Sequence, residues 1–199
     1  MNGEQKLDAQ PQREDSELIA LVLKGDKRAY EGIVIRYQKL VYNVIYQLVK
    51  NQETAADITQ DTFLKAYQAL PNFREGAPMR PWLLRIASNT ALNYLRGLKP
   101  SQSLEQLLEE LPNMEPASTE NVERQVEFKM TEERLVSVLS TLQPQHRHLF
   151  LLRYQHDLTY EDISSVLEQP VTTIKSLLFR VRTKVRQLMS EDTIELSSK

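Results

Sequence analysis

Between Val171 and Met189 the apolar residues Ile174, Leu178, Val181, Val185 and Leu188 step by 4, 3, 4 and 3, a spacing that an α-helix gathers onto one side. The opposite side carries Thr172, Lys175, Ser176, Phe179, Thr183 and Arg186. Just upstream, Glu168-Gln169-Pro170 is a short turn, because proline biases its predecessor away from the helical region. A shorter helix precedes the turn. Thr159 is placed to accept from the backbone N–H near Asp162, whose carboxylate suits a positive helix N-terminus, and Ile163, Val166 and Leu167 form its apolar stripe. The spacing therefore predicts a helix-turn-helix over 159–189. Its second helix holds five basic residues (Lys175, Arg180, Arg182, Lys184, Arg186) and no acidic one. A solvated basic face explains some of that charge, but neither the complete lack of acids nor Phe179 on the polar side. A basic helix with short polar groups near its start is what reading a major groove requires.

The net charge of the 199 residues is only −2, which taken alone argues against a nucleic-acid binder. Its distribution reverses the impression. Residues 16–98 hold 11 basic against 7 acidic side chains, a net +4, and residues 131–189 hold 8 against 6, a net +2. The intervening 100–130 carries 7 glutamates against Arg124 and Lys129, a net −5. A polyanion is steered by local field, not by the sum. With no cysteine, disulfides, thiolate zinc sites and cysteine nucleophiles are excluded. Five scattered glycines, with neither GxGxxG nor GxxxxGK, argue against a phosphate-cradling loop. The polar start MNGEQKLDAQPQRED lacks the apolar segment of a signal peptide, and no apolar run reaches the roughly 18–20 residues of a membrane span, so a cytoplasmic protein without membrane insertion of its own is expected.

Every strongly periodic segment is helical, and the expected fold is all-α: two small helical domains joined by an acidic flexible linker, the C-terminal one a helix-turn-helix. The expected boundaries are an N-terminal tail (1–15), a first domain (16–98), the linker (99–130), a second domain (131–189) and a C-terminal tail (190–199). Within the first domain, helices are expected over about Asp15–Lys24, from Asp26 to about Lys50, over about Glu53–Leu70, and from Pro81 to about Leu98, with 71–80 a loop. The linker is proline-punctuated and lacks aromatics over most of its length, and Leu104, Leu107, Leu108 and Leu111 are spaced for an amphipathic turn or two. Helices resume near Val122, running to about Leu142, and again from Pro144 to about Gln155.

Two further faces carry information. On the third helix Asp57, Gln60, Asp61, Leu64 and Gln68 share one side. Acids near a helix start are often there for the dipole, which accounts for Asp57 but not for Leu64 among polar neighbours; a protein-docking face stands equally as a reading. On the fourth helix Arg85, Asn89, Leu92 and Arg96 follow steps of 4, 3 and 4, with Leu83, Ile86, Ala87, Ala91 and Tyr94 assigned to the packed side. Two arginines and an amide on one stripe suit phosphates and base edges. Phe73 and Trp82 bracket the 71–80 loop, which is placed to stack on, or wall a pocket for, an unstacked base, although tryptophan is more often core than contact. His146 and His148 lie two apart, poor chelating geometry, and no nucleophile–base pair singles itself out: no catalytic residue, metal site or cofactor is expected.

Together GDKRAYEGIVIRYQKLVY (25–42), AADITQDTFLKAYQALPNF (55–73), PWLLRIASNTALNYLR (81–96) and LQPQHRHLFLLRYQHDLTYEDISSVLEQPVTTIKSLLFRVRTKV (142–185) resemble an extracytoplasmic-function (ECF) sigma factor of bacterial RNA polymerase. Each motif is weak alone; the ordered set spans nearly the whole chain. The resemblance implies a non-enzymatic initiation factor whose partners are core RNA polymerase (β′ clamp and β subunits), promoter DNA and an anti-sigma factor. It implies that 16–98 recognises and melts the −10 element and that 131–189 reads the −35 element. By resemblance Asp57, Gln60, Asp61 and the adjoining Leu64 dock on the β′ clamp coiled coil. The −10 surface falls on Arg85, Asn89 and Arg96, with Phe73, Arg80 and Trp82 at the loop that captures an extruded base. The −35 surface falls on Thr172, Thr173, Lys175, Ser176, Phe179 and Arg180. Three positions depart from the family's usual pattern: Thr172-Thr173 for glycine-threonine after the turn, Pro81 for threonine before Trp82, and Leu177 where basic or polar side chains are frequent. They put the preferred promoter sequences, not the activity, in question. Rival readings are a stand-alone helix-turn-helix regulator, which leaves the Asp57–Leu64 and fourth-helix stripes without a role, and a nucleic-acid enzyme, for which no active-site constellation exists.

Overall fold

The structure, a computed structural model, describes residues 14–98 and 132–196. Among them all regular structure is helical: α1 (Asp15–Leu23), α2 (Lys27–Val49), α3 (Gln52–Ala69), a 3-10 turn (Leu70–Asn72), α4 (Met79–Leu98), α5 (Glu132–Thr141), α6 (Pro144–Tyr154), α7 (Tyr160–Leu167) and α8 (Val171–Leu196). The leucine-bearing turn expected at 104–111, and the helix start expected near Val122, lie outside the described residues.

Helix ends follow from local chemistry. Gly25 takes φ +95° after α1, a conformation that costs glycine little, and the Asp26 carboxylate then accepts from Arg28 N–H at 2.9 Å to open α2. Lys50 closes α2 in the left-handed region, and Asn51 caps α3 by accepting from Thr54 N–H at 2.9 Å. The fourth helix starts at Met79, one half-turn earlier than Pro81 alone implied. Pro81 then sits among the first residues of α4, whose N–H groups have no partner inside the helix, so its missing donor costs nothing. At the other end of the chain α8 continues to Leu196, into the segment expected to be a polar tail.

The first domain packs α2, α3 and α4 around Val41, Ile45, Leu48, Ala55, Ile58, Phe63, Ala66, Leu83, Ala87, Ala91 and Leu92. Four of these are alanines, which bring helix axes close. Across one end, α1 lays Leu18, Ile19 and Val22 on Ala29, Ile33, Leu70 and Met79. In the second domain the expected seam is buried: Ile174, Leu178, Val181 and Val185 pack with Leu149, Leu152, Leu158, Ile163 and Val166, while Leu188 is only partly covered and Met189 is buried beside it. Removing buried methylenes here costs about 2–5 kcal/mol per leucine-to-alanine change. The predicted capping box is present, with Asp162 N–H donating to Thr159 Oγ1 at 3.0 Å and Thr159 N–H to Asp162 Oδ2 at 3.2 Å.

The two domains are in contact. α4 lies along α7, and α2 along α6. Val44 and Leu84 of the first domain are fully buried within the apolar cluster of the second. The sequence reading of two tethered units did not anticipate this shared core.

Candidate nucleic-acid interface

Burial on one side of α8 determines what the other side presents. Ile174, Leu177 and Leu178 are buried, whereas Thr172 and Lys175 are exposed and Thr173, Ser176, Phe179 and Arg180 are half-exposed. Leu177 is thus a core residue, and its apolar character takes nothing from the polar face. Two aromatic rings hold cations on that face. The Lys175 ammonium lies 5.5 Å from the Tyr160 ring centroid and the Arg153 guanidinium 5.0 Å from the same ring, while Arg182 lies 5.9 Å from the ring of Phe179. Contacts of this kind contribute about 0.5–1 kcal/mol at exposed sites and restrict where a flexible cation points. Tyr160 and Arg153 were missed from sequence; Phe179 among basic residues was the one visible sign of such pairing.

On the first domain the six residues of the expected −10 surface do not form one open stripe. Phe73 and Trp82 meet edge to face at 5.0 Å between centroids, both half-buried against the α1 cluster. Arg80 donates to the carbonyl of His156 at 2.6 Å, across the domain boundary. Arg85 pairs with Glu168 at 2.5 Å, and Asn89 Nδ2 donates to the other oxygen of the same carboxylate at 3.3 Å. Arg96, exposed, donates to Asn93 Oδ1 at 2.6 Å. Two assignments on α4 are corrected: Leu92, placed on the arginine stripe, is buried in the core, and Tyr94, placed on the packed side, is exposed. The reason is that α4 is covered by α2 and α3 on one side and by α7 on another, so its buried arc is wider and differently centred than a single apolar stripe implies.

The acidic side of α3 is as open as its spacing implies. Asp57, Gln60, Asp61 and Leu64 are all exposed, with Leu64 at 57 % among polar neighbours, while Ala55, Ile58, Thr62, Phe63 and Ala66 pack inward. Asp61 pairs with Lys65 at 2.7 Å along the helix, and the exposed Tyr67 extends the patch by one turn.

Between the domains lies a polar set that sequence reasoning did not single out. Ser88 Oγ and His148 Nε2 are 2.8 Å apart and buried. Arg147 donates to the Leu48 carbonyl at 3.2 Å, in the last turn of α2 where a cation complements the helix dipole; burial lowers the guanidinium pKa. Gln47 meets both Gln155 Oε1, at 2.6 Å, and His156 Nε2, at 3.3 Å. Burial, then the neighbouring His156 and Arg147, pushes His148 down to about 3, and His156 is lowered first by burial and then by Arg80. Both imidazoles are therefore neutral in the folded chain at pH 7. Among the described residues no group of three or more histidines or acids is placed to hold a metal ion, and no helix is long and apolar enough to cross a membrane.

Two family models match, Sigma-70 region 2 over residues 33–100 and Sigma-70 region 4 over residues 132–185. The chain is 36 % identical over 180 residues to the RNA polymerase sigma-H factor of Pseudomonas aeruginosa, covering 87 % of this chain and 93 % of the relative. The chain belongs to the ECF sigma factors. With the ECF RNA polymerase sigma-E factor of Escherichia coli K12 it shares 32 % identity over 176 residues, 86 % of this chain and 92 % of the relative. Its fold is like that of the sigma factor RpoE in complex with the anti-sigma factor NepR from Bartonella quintana, with a TM-score of 0.59, 19 % identity, and coverage of 81 % of this chain and 96 % of that one. This sigma factor accordingly serves promoter-specific transcription initiation with RNA polymerase. Helices α2 to α4 form the bulk of its region 2, and α5 to α8 its region 4.

Proposed function

We propose that this sigma factor reads a −35 element with Thr172, Thr173, Lys175, Ser176, Phe179 and Arg180, and reads and holds open the −10 element with Phe73, Arg80, Trp82, Arg85, Asn89 and Arg96. Asp57, Gln60, Asp61 and Leu64 dock on the β′ clamp of core polymerase. The catalysis of RNA synthesis belongs to the polymerase. The observation that carries the DNA-reading part is the division of α8: its apolar residues are buried while a basic, hydroxyl-bearing face remains outside, with Lys175 braced on Tyr160. A helix so divided can lie in a major groove with its N-terminal residues at base edges and its later cations near phosphates. For α3 the support is the exposure of an acidic side with one apolar anchor, which suits a basic coiled coil.

An anti-sigma factor is the further partner proposed, supported by the fold shared with a sigma factor captured in such a complex. Electrophoretic mobility shifts with and without core polymerase, on promoters selected by the reconstituted holoenzyme, test the whole reading. Sequence-specific binding that appears only with core polymerase supports it; equal specific binding by the free chain supports a stand-alone regulator instead.

A further inference from the structure

One helix holds both ends of the loop that leads into α4. Leu70, which begins the 3-10 turn, and Met79, the first residue of α4, are buried with Leu18, Ile19 and Val22 of α1. Phe73 and Trp82 pack, partly buried, on the same cluster. Phe73 N–H donates to the Leu70 carbonyl at 3.0 Å, so this aromatic residue is tied directly to the buried end. Residues 71–78 include none that is buried. They turn at Gly76, with φ +75°, and Ala77 N–H donates to the Arg74 carbonyl at 3.1 Å. A segment with no core residue of its own takes its position from its ends, and here both ends rest on α1.

α1 is nine residues long, too short to be stable by itself, so its place depends on what fastens it. Glu14, its N-cap, makes no side-chain cap bond. The next residue, Asp15, reaches across to α2 instead: one carboxylate oxygen pairs with Arg36 and the other accepts from the Tyr37 hydroxyl. An acid in a first turn suits the helix dipole, but the dipole asks only for charge nearby, whereas both oxygens here are taken by another helix. Burial, then the bond to Asp15, raises the Tyr37 phenol above its ordinary range, so the hydroxyl keeps its proton and donates. One turn along α1, Leu18 lies so close to α2 that a β-carbon at Gly32 would stand 3.2 Å from its Cδ2. The Tyr37 ring packs against both apolar clusters of region 2, as Trp82 does, and Arg80 is near enough to act on its hydroxyl.

We propose that Asp15 and Tyr37 are positioning residues for −10 base capture. Their carboxylate–phenol bond fastens α1 to α2, α1 fixes both ends of the 71–78 loop, and the Phe73–Trp82 pair, edge to face at 5.0 Å, is thereby held as one wall of the base pocket. This rests on the proposed reading of Phe73 and Trp82 as −10 residues. An extruded base has lost its stacking, and a wall already in place offsets that loss better than one that must be ordered on binding. Asp15 and Tyr37 act through the loop and need no contact with DNA.

Trp82 is the only tryptophan of the chain, so its emission reports on the pocket without a label. In the full chain, Tyr37→Phe, which keeps the ring and removes the donor, and Asp15→Ala are expected to raise acrylamide quenching of Trp82. Asp15→Asn, whose side-chain oxygen can still accept from Tyr37, is expected to restore most of the protection. In the reconstituted holoenzyme, −10 preference is read as the ratio of abortive product from the selected promoter to that from promoters substituted at each −10 position in turn. Loss of folded protein alone does not move a ratio. Tyr37→Phe is expected to lower it by about three- to tenfold at the captured position, the range for one hydrogen bond, with −35 preference unchanged. Phe73→Ala gives the reference for loss of the wall itself. Unchanged quenching in Tyr37→Phe, or Asp15→Asn as exposed as Asp15→Ala, overturns the fastening of α1. Raised quenching with unaltered −10 preference, where Phe73→Ala does lower it, overturns the link from α1 to base capture. Unaltered preference in Phe73→Ala as well places the failure in the −10 reading of the loop, and the proposal falls with it.

Discussion

Ser88 Oγ on α4 and His148 Nε2 on α6 lie 2.8 Å apart in a buried setting, so a region 2 hydroxyl and a region 4 imidazole are each other's hydrogen-bond partner. Burial, then His156 and Arg147, lowers the imidazole to about 3. The unfolded chain, with an ordinary histidine near 6.5, therefore binds the extra proton between those values. Stability linked to His148 is fully present above about pH 6.5 and declines as pH falls toward 3, by up to about 1.4 kcal/mol per pH unit. Thermal melts across pH 7 to 4 should show this decline, and His148→Gln, which keeps a side-chain amide near Ser88 but does not titrate, should flatten it, leaving a smaller slope from His156. A slope unchanged by His148→Gln would remove His148 as its source.

Asp61→Lys, alone or with Asp57→Lys, is expected to weaken binding to core polymerase while the chain stays folded. Both positions are exposed, and the Asp61–Lys65 pair, at 47 and 49 % side-chain exposure, is of the kind that contributes about 0–1 kcal/mol. Reversing charge at a docking surface costs several times that in affinity. Competition for core polymerase against the unaltered sigma factor measures the effect, and undiminished competition by a folded variant removes the docking assignment.

Tyr160 separates ring from hydroxyl. Tyr160→Phe retains the ring under Lys175 and Arg153 and should leave −35 duplex affinity within about twofold, whereas Tyr160→Leu removes the ring from both cations and should weaken it by about three- to tenfold, consistent with one or two cation–π contacts. Circular dichroism distinguishes this from unfolding. Equal binding by the Phe and Leu variants would mean that the ring does not position these cations.

Much of each domain was legible because its chemistry is local. Thr159 and Asp162 lie three residues apart and cap one helix, and the 4, 3, 4, 3 seam of Ile174 to Leu188 needs only helical periodicity. The exposed side of α3 was readable for the same reason. What failed was the side of α4, where Leu92 and Tyr94 exchanged places, because a helix covered from two directions has a buried arc that no single stripe describes. The domain contact left no trace at all. Ser88, Arg147, His148 and Glu168 are polar, carry no periodic signal, and meet only after the chain has passed through the 99–131 segment. Likewise His146 and His148, two apart on one helix, are both buried because α6 is enclosed by both domains, a fact of tertiary packing.

The helix-turn-helix should be sensitive to its cap. Thr159→Ala removes the hydroxyl half of the capping box on an eight-residue helix, the bond accepted from Asp162 N–H, while the backbone N–H of residue 159 can still donate to Asp162 Oδ2; it is expected to lower region 4 stability by about 1 kcal/mol, with a smaller loss for Thr159→Ser. Chemical denaturation followed by circular dichroism reads the change; an unaltered midpoint would mean that packing of Ile163 and Val166 alone sets the helix.

Promoter reading by two separable surfaces is tested most directly by permanganate footprinting of the reconstituted holoenzyme, on a matched promoter and on the same promoter with a pre-melted −10 bubble. Asn89→Ala should reduce opening of the duplex promoter and −10 discrimination, and regain most of its activity on the bubble, because extruding a base costs a few kcal/mol that the −10 face must offset. Lys175→Ala should be weak on both templates, with a loss of about 1–3 kcal/mol in −35 discrimination where it contacts a base. Equal melting by the unaltered protein, Asn89→Ala and Lys175→Ala on both templates, with unchanged −10 and −35 preferences, would contradict the assignment of promoter reading to these two faces.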